Sequence, residues 1–241
     1  MENKVIWVTG ASSGIGLSLI EKLCKEKSII IATSSTKKKL EKIVTEDNKP
    51  YLHLEPGDLS NPDMCQVIAD KIVKKFGRID VLVNNAGINI TDRLLRDLNH
   101  AGIDTLIDGN LKSMFYTSLS VLPSMRRQRY GLLIHLSSWT ARWNLKVSGA
   151  GYSSAKSGIV SLSTSINQEE HHNGIRSSVI FPAEVNTPML NARKEQLSAK
   201  EKNKMLTSSQ VADAITYIAS TPPNVVINEM VISSIHNRYY D

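Results

Sequence analysis

The sequence has few cysteines and lacks the long apolar runs that mark membrane-spanning segments. Cys24 and Cys65 are its two cysteines, and they form no CxxC motif, which argues against both a disulfide framework and a zinc site. No apolar run reaches the roughly 20 residues that a transmembrane helix needs. The N-terminal residues enter a strand-like run directly, without the layout of a signal peptide. These absences predict a cytoplasmic protein with no membrane partner and no bound metal.

Aromatic residues are also scarce, at 5% of the chain, and basic residues exceed acidic ones to give a net charge of +6. The basic residues are dispersed, whereas a nucleic-acid-binding surface concentrates them on one face. We therefore predict no nucleic-acid partner. Arg126, Arg127 and Arg129 end a predicted helix, where positive charge stabilises the negative end of the helix dipole. Docking of an acidic carrier protein is the alternative interpretation of this cluster.

Apolar, β-branched runs alternate with helical patterns along the whole chain. Hydrophobic residues make up 41% of the sequence, enough for a packed core. The predicted strands cover residues 4–9, 28–33, 50–54, 80–83, 131–137, 175–181 and 226–232. The predicted helices cover residues 14–26, 62–76, 99–128, 152–172 and 208–220. Because strands separated by helices pair through right-handed crossovers, we predict an α/β fold with a Rossmann-type, doubly wound, seven-stranded parallel sheet in a single domain, 1–241.

One segment, residues 188–206, departs from this alternation because it is polar, charged and poor in β-branched residues. Segments of this kind often form mobile lids over a substrate site. We predict a lid here, and an ordinary exposed helix of the same composition is the alternative.

The stretch TGASSGIG places three glycines, Gly10, Gly14 and Gly16, between the first predicted strand and the first predicted helix. Glycine permits a tight turn and a close approach of the backbone to a ligand. The helix that follows presents free N–H groups and the positive end of its dipole, which bind pyrophosphate groups. The turn therefore predicts a dinucleotide-binding site, although its GxxxGxG spacing differs from the general GxGxxG pattern.

Tyr152 and Lys156 stand four residues apart in the stretch YSSAK, so both lie on one face of a predicted helix. A phenol has a pKa of about 10, roughly three units above neutral pH, and that difference corresponds to about 4 kcal/mol. A cation about 4 Å away supplies about that much at an effective dielectric constant near 20. A lysine at this spacing is therefore energetically sufficient to bring the pKa of the tyrosine near neutral pH, although the spacing alone does not show that it does so.

Six segments together resemble motifs of the short-chain dehydrogenase/reductase family. They occur in the same order as in that family, and the resemblance covers nearly the whole chain. They are TGASSGIG at 9–16, DLS at 58–60, NNAG at 84–87, GNLKSMF at 109–115, LLIHLSS at 132–138 and YSSAK at 152–156. The resemblance implies hydride transfer between a nicotinamide and a carbinol or carbonyl carbon. It implies that Tyr152 is the general acid/base and that Lys156 lowers its pKa and binds the nicotinamide ribose. It also implies that Ser138 donates to the reacting oxygen and that Asn110 holds a water linking Lys156 to solvent.

The preferred cofactor follows from the residues after the second predicted strand. An acidic residue there would bind the ribose 2′-hydroxyl of NAD(H), but the sequence runs ATSSTKKKL before its first acid, Glu41. Hydroxyl and lysine side chains suit a 2′-phosphate, which predicts NADP(H) over NAD(H). The predicted cofactor-binding residues are Gly10, Ser12, Ser13, Gly14, Ile15, Gly16, Ser34, Ser35, Thr36, Lys37, Asp58, Leu59, Asn84, Ala86, Gly87, Tyr152, Lys156, Pro182, Ala183, Val185 and Thr187.

Some features depart from the family pattern. The loop at residues 139–151 is one residue longer than usual, and Pro182-Ala183 replaces the usual Pro-Gly, which changes a backbone position beside the nicotinamide. The common Gly-Gly near the C-terminus is absent. Residues 211–232 instead resemble the branch of the family that contains serine and 3-hydroxy acid dehydrogenases.

The longer loop also supplies the candidate substrate residues, Trp139, Arg142 and Trp143. Tryptophan side chains provide an apolar wall, and arginine binds a carboxylate through two parallel hydrogen bonds. The alternative is that these side chains pack against a neighbouring subunit or face solvent.

The sequence therefore predicts an NADP(H)-dependent oxidoreductase acting on a small alcohol or carbonyl substrate, for example a 3-hydroxy acid. A 3-ketoacyl thioester reductase and a non-catalytic NADP(H)-binding regulator are the alternatives. The family resemblance further implies a homodimer or homotetramer assembled through helices 99–128 and 152–172.

Overall fold

The computed structural model describes residues 1–237 and 240 and contains one large parallel sheet. The strands are β1 Val5–Thr9, β2 Ile29–Thr33, β3 Leu52–Leu54, β4 Val81–Asn84, β5 Gly131–Leu136, β6 Ile175–Pro182, β7 Val185–Asn186, β8 Leu206–Thr207 and β9 Glu229–Ile232. Seven of them form the central sheet in the order β3-β2-β1-β4-β5-β6-β9, and β7 pairs separately with β8. The predicted doubly wound, seven-stranded parallel sheet is confirmed.

Helices cover both faces of this sheet. They are α1 Gly14–Lys25, α2 Lys37–Glu41, α3 Pro62–Phe76, α4 His100–Ile107, α5 Ser113–Gln128, α6 Thr140–Trp143, α7 Ala150–Glu170, α8 Ala199–Lys202 and α9 Ser208–Ser220. A π-helical turn, Asp108–Lys112, joins α4 to α5, and 3₁₀ turns cover Lys146–Ser148, His171–Asn173 and Pro188–Ala192. Within the described part of the chain, we find no helix with the length and apolar character needed to span a bilayer.

The core has two halves because successive side chains of a strand point to opposite faces of the sheet. Val5 and Trp7 of β1 belong to the half that packs against α3, α5 and α7. Ile6 and Val8 of the same strand belong to the half that packs against α1 and α9. A strand buried on both faces in this way reads as a continuous apolar run, which is what VIWVT shows in the sequence.

The order of the strands determines where a ligand can bind. β1 lies between β2 and β4, and it pairs Val5 with Ile29 on one side and Ile6 with Val81 on the other. The chain leaves β1 towards one edge of the sheet and later returns to β4 towards the other edge. A crevice opens at the carboxyl ends of the strands where this reversal occurs.

The structure divides the long helix predicted at residues 99–128. The π-helical turn interrupts it around Asn110, whose side-chain amide donates to the Leu106 carbonyl at 2.8 Å. Such a side-chain bond to the backbone competes with the regular helical pattern. Single π-helical turns occur often at functional sites, and periodicity in the sequence does not reveal them.

The polar segment predicted as a lid, 188–206, is held at its ends by the small sheet of β7 and β8. It contains the 3₁₀ turn Pro188–Ala192 and the short helix α8, so it is neither one exposed helix nor a featureless loop. Its first turn contributes to the wall of the central crevice. The predicted mobility of this segment stays a prediction.

An ion pair fastens the end of α5 to the end of α7. Glu170 is 5% exposed, and its carboxylate accepts hydrogen bonds from Arg126 Nε at 3.0 Å and from Asn173 Nδ2 at 2.9 Å. The hydrogen bond from the Arg126 guanidinium is the main reason that the pKa of Glu170 lies below its usual value. The arginine cluster at the end of α5 therefore has a structural partner in addition to the helix dipole.

We expect Glu170→Gln to lower the free energy of unfolding at pH 7 by about 1–3 kcal/mol, the range for charge-assisted hydrogen bonds. Because the pKa of Glu170 is lower in the folded protein than in the unfolded chain, its stabilisation is complete above the unfolded-state pKa of about 4.3. It is lost as the pH falls through the lower, folded-state pKa. Urea unfolding at several pH values measures this difference.

The neighbouring Glu169→Gln is the matched control, since Glu169 is exposed. An equal loss of stability in both variants, or a Glu170→Gln effect that does not decrease at acid pH, would contradict the role given to the ion pair.

Candidate active site

A cavity of about 840 Å³ opens at the carboxyl ends of the central strands. Its walls come from the turn after β1, the end of β2, the segments after β4 and β5, the start of α7 and the segment after β6. These segments contain most of the site residues predicted from the sequence, although they are scattered over much of the chain.

The glycine turn after β1 packs tightly against the segment after β4. Gly10 and Gly14 have φ angles of +61° and +54°, a left-handed conformation that favours glycine. A Cβ atom on Gly10 would lie 2.8 Å from Ala86 Cα. Asn85 Nδ2 donates to the carbonyls of Thr9 and Gly10, at 3.0 and 3.1 Å, and so joins the two segments.

The N-terminus of α1 faces this cavity. Ser12, Ser13, Gly14 and Ile15 all line it, and the first turn of α1 contains no acidic residue. The N-cap residue Ser13 makes no side-chain capping bond, so the first amide groups of the helix are not satisfied by its hydroxyl. Free amides and the positive end of the helix dipole fit a phosphate group. Gly16 lies behind the cavity wall, where a Cβ atom would be 2.4 Å from the Gly10 carbonyl oxygen.

The far end of the cavity is lined by Ser34, Ser35 and Lys39. Lys39 Nζ donates to Ser35 Oγ at 3.2 Å, and Ser34 Oγ lies 3.0 Å from Ser12 Oγ. Asp58 and Leu59 also line the cavity, and the N–H of the preceding Gly57 donates to the Ser34 carbonyl at 3.0 Å.

Two residues predicted for this end, Thr36 and Lys37, are not among the lining residues. Lys37 instead forms an ion pair with Glu41, with 3.5 Å between Nζ and the carboxylate. The two lysines are two residues apart on α2, and residues so spaced do not share a helix face, so Lys39 takes the place predicted for Lys37.

Asn84, the first residue of the NNAG segment, is also directed away from the cavity. Its side chain lies in a buried network with Thr117, Ser118 and His135, and Thr117 Oγ1 donates to it at 2.7 Å. Burial lowers the pKa of His135 to about 3 and keeps this imidazole neutral. The network joins β4, β5 and α5 beneath the site, while Ala86 and Gly87 provide the cavity wall.

Tyr152, Lys156 and Ser138 meet in the middle of the cavity. Burial raises the pKa of the Tyr152 phenol to about 12, while the Ser138 hydroxyl, through a hydrogen bond, and the charge of Arg93 act to lower it. Burial lowers the pKa of Lys156 to about 7. Both values reflect the cost of placing charge where water is excluded.

Lys156 has a different neighbour from the one expected. Its Nζ donates to the Leu136 carbonyl at 2.7 Å and lies 5.6 Å from the centre of the Tyr152 ring. The Ser138 hydroxyl and the charge of Arg93 act to lower the pKa of Tyr152 in this structure, and the predicted contribution of Lys156 stays a prediction. The spacing along α7 brings the lysine to the same face as the tyrosine, but the buried Leu136 carbonyl at the end of β5 accepts a hydrogen bond from its ammonium group.

Asn110 is fully buried behind the cavity wall and is not itself a lining residue. Its Oδ1 accepts from the Ile88 N–H at 3.0 Å, and its Nδ2 donates to the Ile88 carbonyl at 2.9 Å. A Cβ atom on Gly87 would lie 2.9 Å from Asn110 Oδ1 and 3.4 Å from Lys156 Nζ. Asn110 therefore fixes the loop after β4 directly above the lysine.

The segment after β6 closes the cavity with Pro182, Ala183, Val185 and Thr187. The Ala183 N–H donates to the Ile232 carbonyl at 2.9 Å, as in a regular sheet. Among the described residues, Ala183 is not one of those with a positive φ. The replacement of glycine at this position therefore causes no backbone strain.

The longer loop before Tyr152 is folded into α6 and a 3₁₀ turn, and only part of the substrate prediction agrees with this structure. Trp139 lines the cavity, but Arg142 and Trp143 do not. Arg142 forms an ion pair with Glu229 and lies 4.8 Å from the centre of the Phe181 ring. Trp143 stacks on Trp139 and is 51% exposed. Helix α6 turns these two side chains towards β6 and β9 or towards solvent.

Two arginines that are not among the predicted site residues line the cavity instead: Arg93 and Arg193. Arg93 is 8% exposed and lies in the loop between β4 and α4. Arg193 comes directly after the 3₁₀ turn of the lid segment. Both lie in polar loops without periodicity, so the sequence gives little sign of their role. Arg93 comes shortly after the NNAG motif, and Arg193 lies within the predicted lid. No cluster of three or more metal-ligating side chains occurs in residues 1–237 and 240.

The chain is similar to known proteins over most of its length. A family model described as short chain dehydrogenase matches residues 4–198. A 3-oxoacyl-[acyl-carrier-protein] reductase of Thermotoga maritima is 31% identical over 238 residues, which cover 96% of this chain and 96% of the relative.

Solved structures show the same similarity. A metagenomic short-chain oxidoreductase in complex with NADP has a TM-score of 0.81 and 27% identity, covering 96% of both chains. The closed form of a serine dehydrogenase complexed with NADP+ has the same fold, with a TM-score of 0.88 at 24% identity over 98% of this chain and 97% of that one. The family match, the relative at 31% identity and the shared fold together show that the chain belongs to the short-chain dehydrogenase family of oxidoreductases.

Proposed function

We propose that this protein is an NADP(H)-dependent oxidoreductase that interconverts a small alcohol and its carbonyl compound, with 3-hydroxy acids as the substrate class. The observation that carries the proposal is the convergence of Ser138, Tyr152 and Lys156 on the cavity that also contains the glycine turn and the N-terminus of α1. A site for a phosphate-bearing cofactor and a proton-exchanging side chain therefore share one cavity.

The chain offers suitable groups for each part of the cofactor. The amides at the start of α1 suit the pyrophosphate, and Lys156 and the loop after β4 suit the nicotinamide riboside. NADP(H) supplies the hydride donor or acceptor when it is bound. The relative from a metagenome is in complex with NADP, which supports the choice of cofactor.

Tyr152 handles the proton that must move with the hydride. In oxidation it accepts the hydroxyl proton of the alcohol, and in reduction it donates a proton to the oxygen that forms from the carbonyl. Ser138 donates a hydrogen bond to the same oxygen and stabilises the negative charge that develops on it. A phenol with a pKa of about 12 is rarely ionised at neutral pH, so it needs positively charged neighbours before it can accept the hydroxyl proton. The cations around Tyr152 are therefore part of the mechanism.

Lys156 provides the route for the proton between Tyr152 and solvent. A lysine with a pKa near 7 exchanges its proton at neutral pH with little cost in free energy. Asn110, through its two hydrogen bonds to Ile88, fixes the backbone above the lysine, where a bound water would carry the proton to solvent.

Tyr152→Phe should abolish turnover, since the ring remains but the hydroxyl that exchanges the proton is lost. We expect kcat to fall by about 10²–10⁴, the usual contribution of a general acid/base. NADPH binding, measured by fluorescence titration, should stay unchanged. Tyr217→Phe, which removes the hydroxyl of an exposed tyrosine on α9, is the control and should keep full activity. Near-normal turnover by Tyr152→Phe would refute the assignment.

The end of the cavity formed by Ser34, Ser35 and Lys39 favours NADP(H) over NAD(H). No acidic residue follows β2 to accept a hydrogen bond from a ribose 2′-hydroxyl until Glu41, which pairs with Lys37. Two hydroxyls and one ammonium group suit the 2′-phosphate instead.

Lys39→Ala should therefore weaken NADPH binding and leave NADH binding almost unchanged. The expected loss is only about 3- to 10-fold, because Lys39 is exposed and solvent screens its attraction to the phosphate. Lys37→Ala is the matched control on the same helix. Calorimetric titration of both variants with both cofactors measures the effect. Equal affinity of the unmodified protein for NADPH and NADH would contradict the preference.

A 3-ketoacyl thioester reductase is a second candidate, supported by the relative from Thermotoga maritima. A panel that compares 3-hydroxy acids with thioester-linked 3-keto compounds separates the two functions. NADPH binding without turnover on either class would favour the third candidate, a cofactor-binding regulator.

A further inference from the structure

Arg93 is a buried cation without an acidic partner. It is 8% exposed, and in residues 1–237 and 240 no carboxylate lies within ion-pair distance of it. The acids beside it in sequence, Asp92 and Asp97, pair with Lys194 at 2.8 and 3.1 Å. A buried guanidinium without a counter-charge is costly to maintain, so an anion that reaches it gains a strong interaction.

The guanidinium has unused hydrogen-bonding capacity. An arginine side chain carries five N–H donors. In the described part of the chain, Arg93 makes one side-chain hydrogen bond, from Nη2 to the Ala192 carbonyl at 3.3 Å. Because Arg93 lines the cavity, its other N–H groups are available to a ligand there. The planar guanidinium can bind a carboxylate through two parallel hydrogen bonds.

The backbone of Arg93 is tied to the helix that carries Tyr152. Gly149 precedes α7 with a φ of +81°, and a Cβ atom there would lie 2.5 Å from the Arg93 carbonyl oxygen and 2.7 Å from Arg93 Cβ. This contact places the arginine beside the first turn of α7. The two groups are near enough that the charge of Arg93 lowers the pKa of Tyr152.

Arg193 adds a second positive charge to the same wall, where it pairs with Glu184. Together with burial, its charge lowers the pKa of Arg93, so the two guanidinium groups repel each other. Asp104 and Asp108 also line the cavity, and Asp108 pairs with Lys112 at 2.8 Å. An incoming carboxylate would relieve the repulsion between the arginines.

We propose that Arg93 binds the carboxylate of the substrate, with Arg193 beside it, and that this subsite selects short 3-hydroxy acids and 3-keto acids over neutral alcohols and ketones. The inference rests on the proposed hydride-transfer function, with Tyr152 and Ser138 at the reacting oxygen. Apolar side chains from the neighbouring loops complete the wall around a short carbon chain: Trp139, Leu145, Val147, Met189 and Leu190. The role expected of Arg142 thus passes to an arginine from a different loop.

Kinetics with a matched substrate pair test the subsite. 3-Hydroxybutyrate and its methyl ester differ in one negative charge, and each is assayed with NADP+ on the unmodified protein, Arg93→Gln and Arg93→Lys. In Arg93→Gln, we expect kcat/KM for the acid to fall about 10- to 100-fold more than for the ester, mainly through KM. Arg93→Lys keeps the charge but loses the planar fork, so its loss should be intermediate.

Arg142→Gln is the control, because Arg142 pairs with Glu229 outside the cavity lining. It should leave the ratio of acid to ester unchanged. A ratio that is equal in the unmodified protein and in Arg93→Gln would overturn the subsite while leaving hydride transfer intact. A change of ratio in Arg142→Gln but not in Arg93→Gln would restore the prediction made from the sequence.

A binding measurement separates this inference from the proposed function. Acetoacetate with NADP+ cannot react, because neither molecule offers a hydride, so calorimetry measures its affinity without turnover. Affinity at least 10-fold weaker in Arg93→Gln and intermediate in Arg93→Lys supports the subsite, even if neither 3-hydroxybutyrate nor its ester is oxidised. No binding of acetoacetate to the unmodified protein, or equal binding by all variants, would overturn it.

Discussion

The close approach of two backbone turns is the constraint on which the site depends. The turn after β1 and the segment after β4 touch where Gly10 meets Ala86, and Asn85 joins them by donating to two carbonyls. A side chain at Gly10 would separate the two segments, because its Cβ atom would lie 2.8 Å from Ala86 Cα. That separation would displace the N-terminus of α1 from one wall of the cavity and Gly87 from another. The phosphate-binding and proton-exchanging halves of the site therefore require the same contact.

Burial sets the electrostatics of this site. Tyr152 and Lys156 are both almost completely buried, and burial shifts each towards its neutral form, with pKa values of about 12 and about 7. Water is too scarce to stabilise their charges, so hydrogen bonds and neighbouring charges decide the proton positions. Lys156 donates a hydrogen bond to the Leu136 carbonyl, and Arg93 supplies the positive charge that acts on Tyr152. A cofactor and a substrate that bring their own charges into this space would change both pKa values, which connects binding to catalysis.

Much of the fold and part of the candidate site could be predicted from the sequence. The parallel sheet follows from apolar strands separated by helical patterns, and Tyr152, Ser138 and the glycine turn lie in segments with characteristic spacing. It was harder to predict which side chains face the cavity, because that depends on how their helix or loop is oriented. Lys39 rather than Lys37 faces the cavity because a shift of two positions changes the face of a helix. Arg142 points away because its loop forms α6, and the sequence pattern contained no sign of that turn.

The sequence by itself determined the order of strands and helices, the glycine turn, and a tyrosine and a lysine on one face of α7. These features depend on local periodicity and on short motifs, and their physical causes act within a few residues. Only the tertiary structure decided which cations surround Tyr152. Arg93 reaches it from the loop after β4 and contacts the turn at Gly149, more than fifty positions away in the chain. Contacts of this kind arise when the sheet brings the ends of distant strands together, so no local pattern in the sequence contains them.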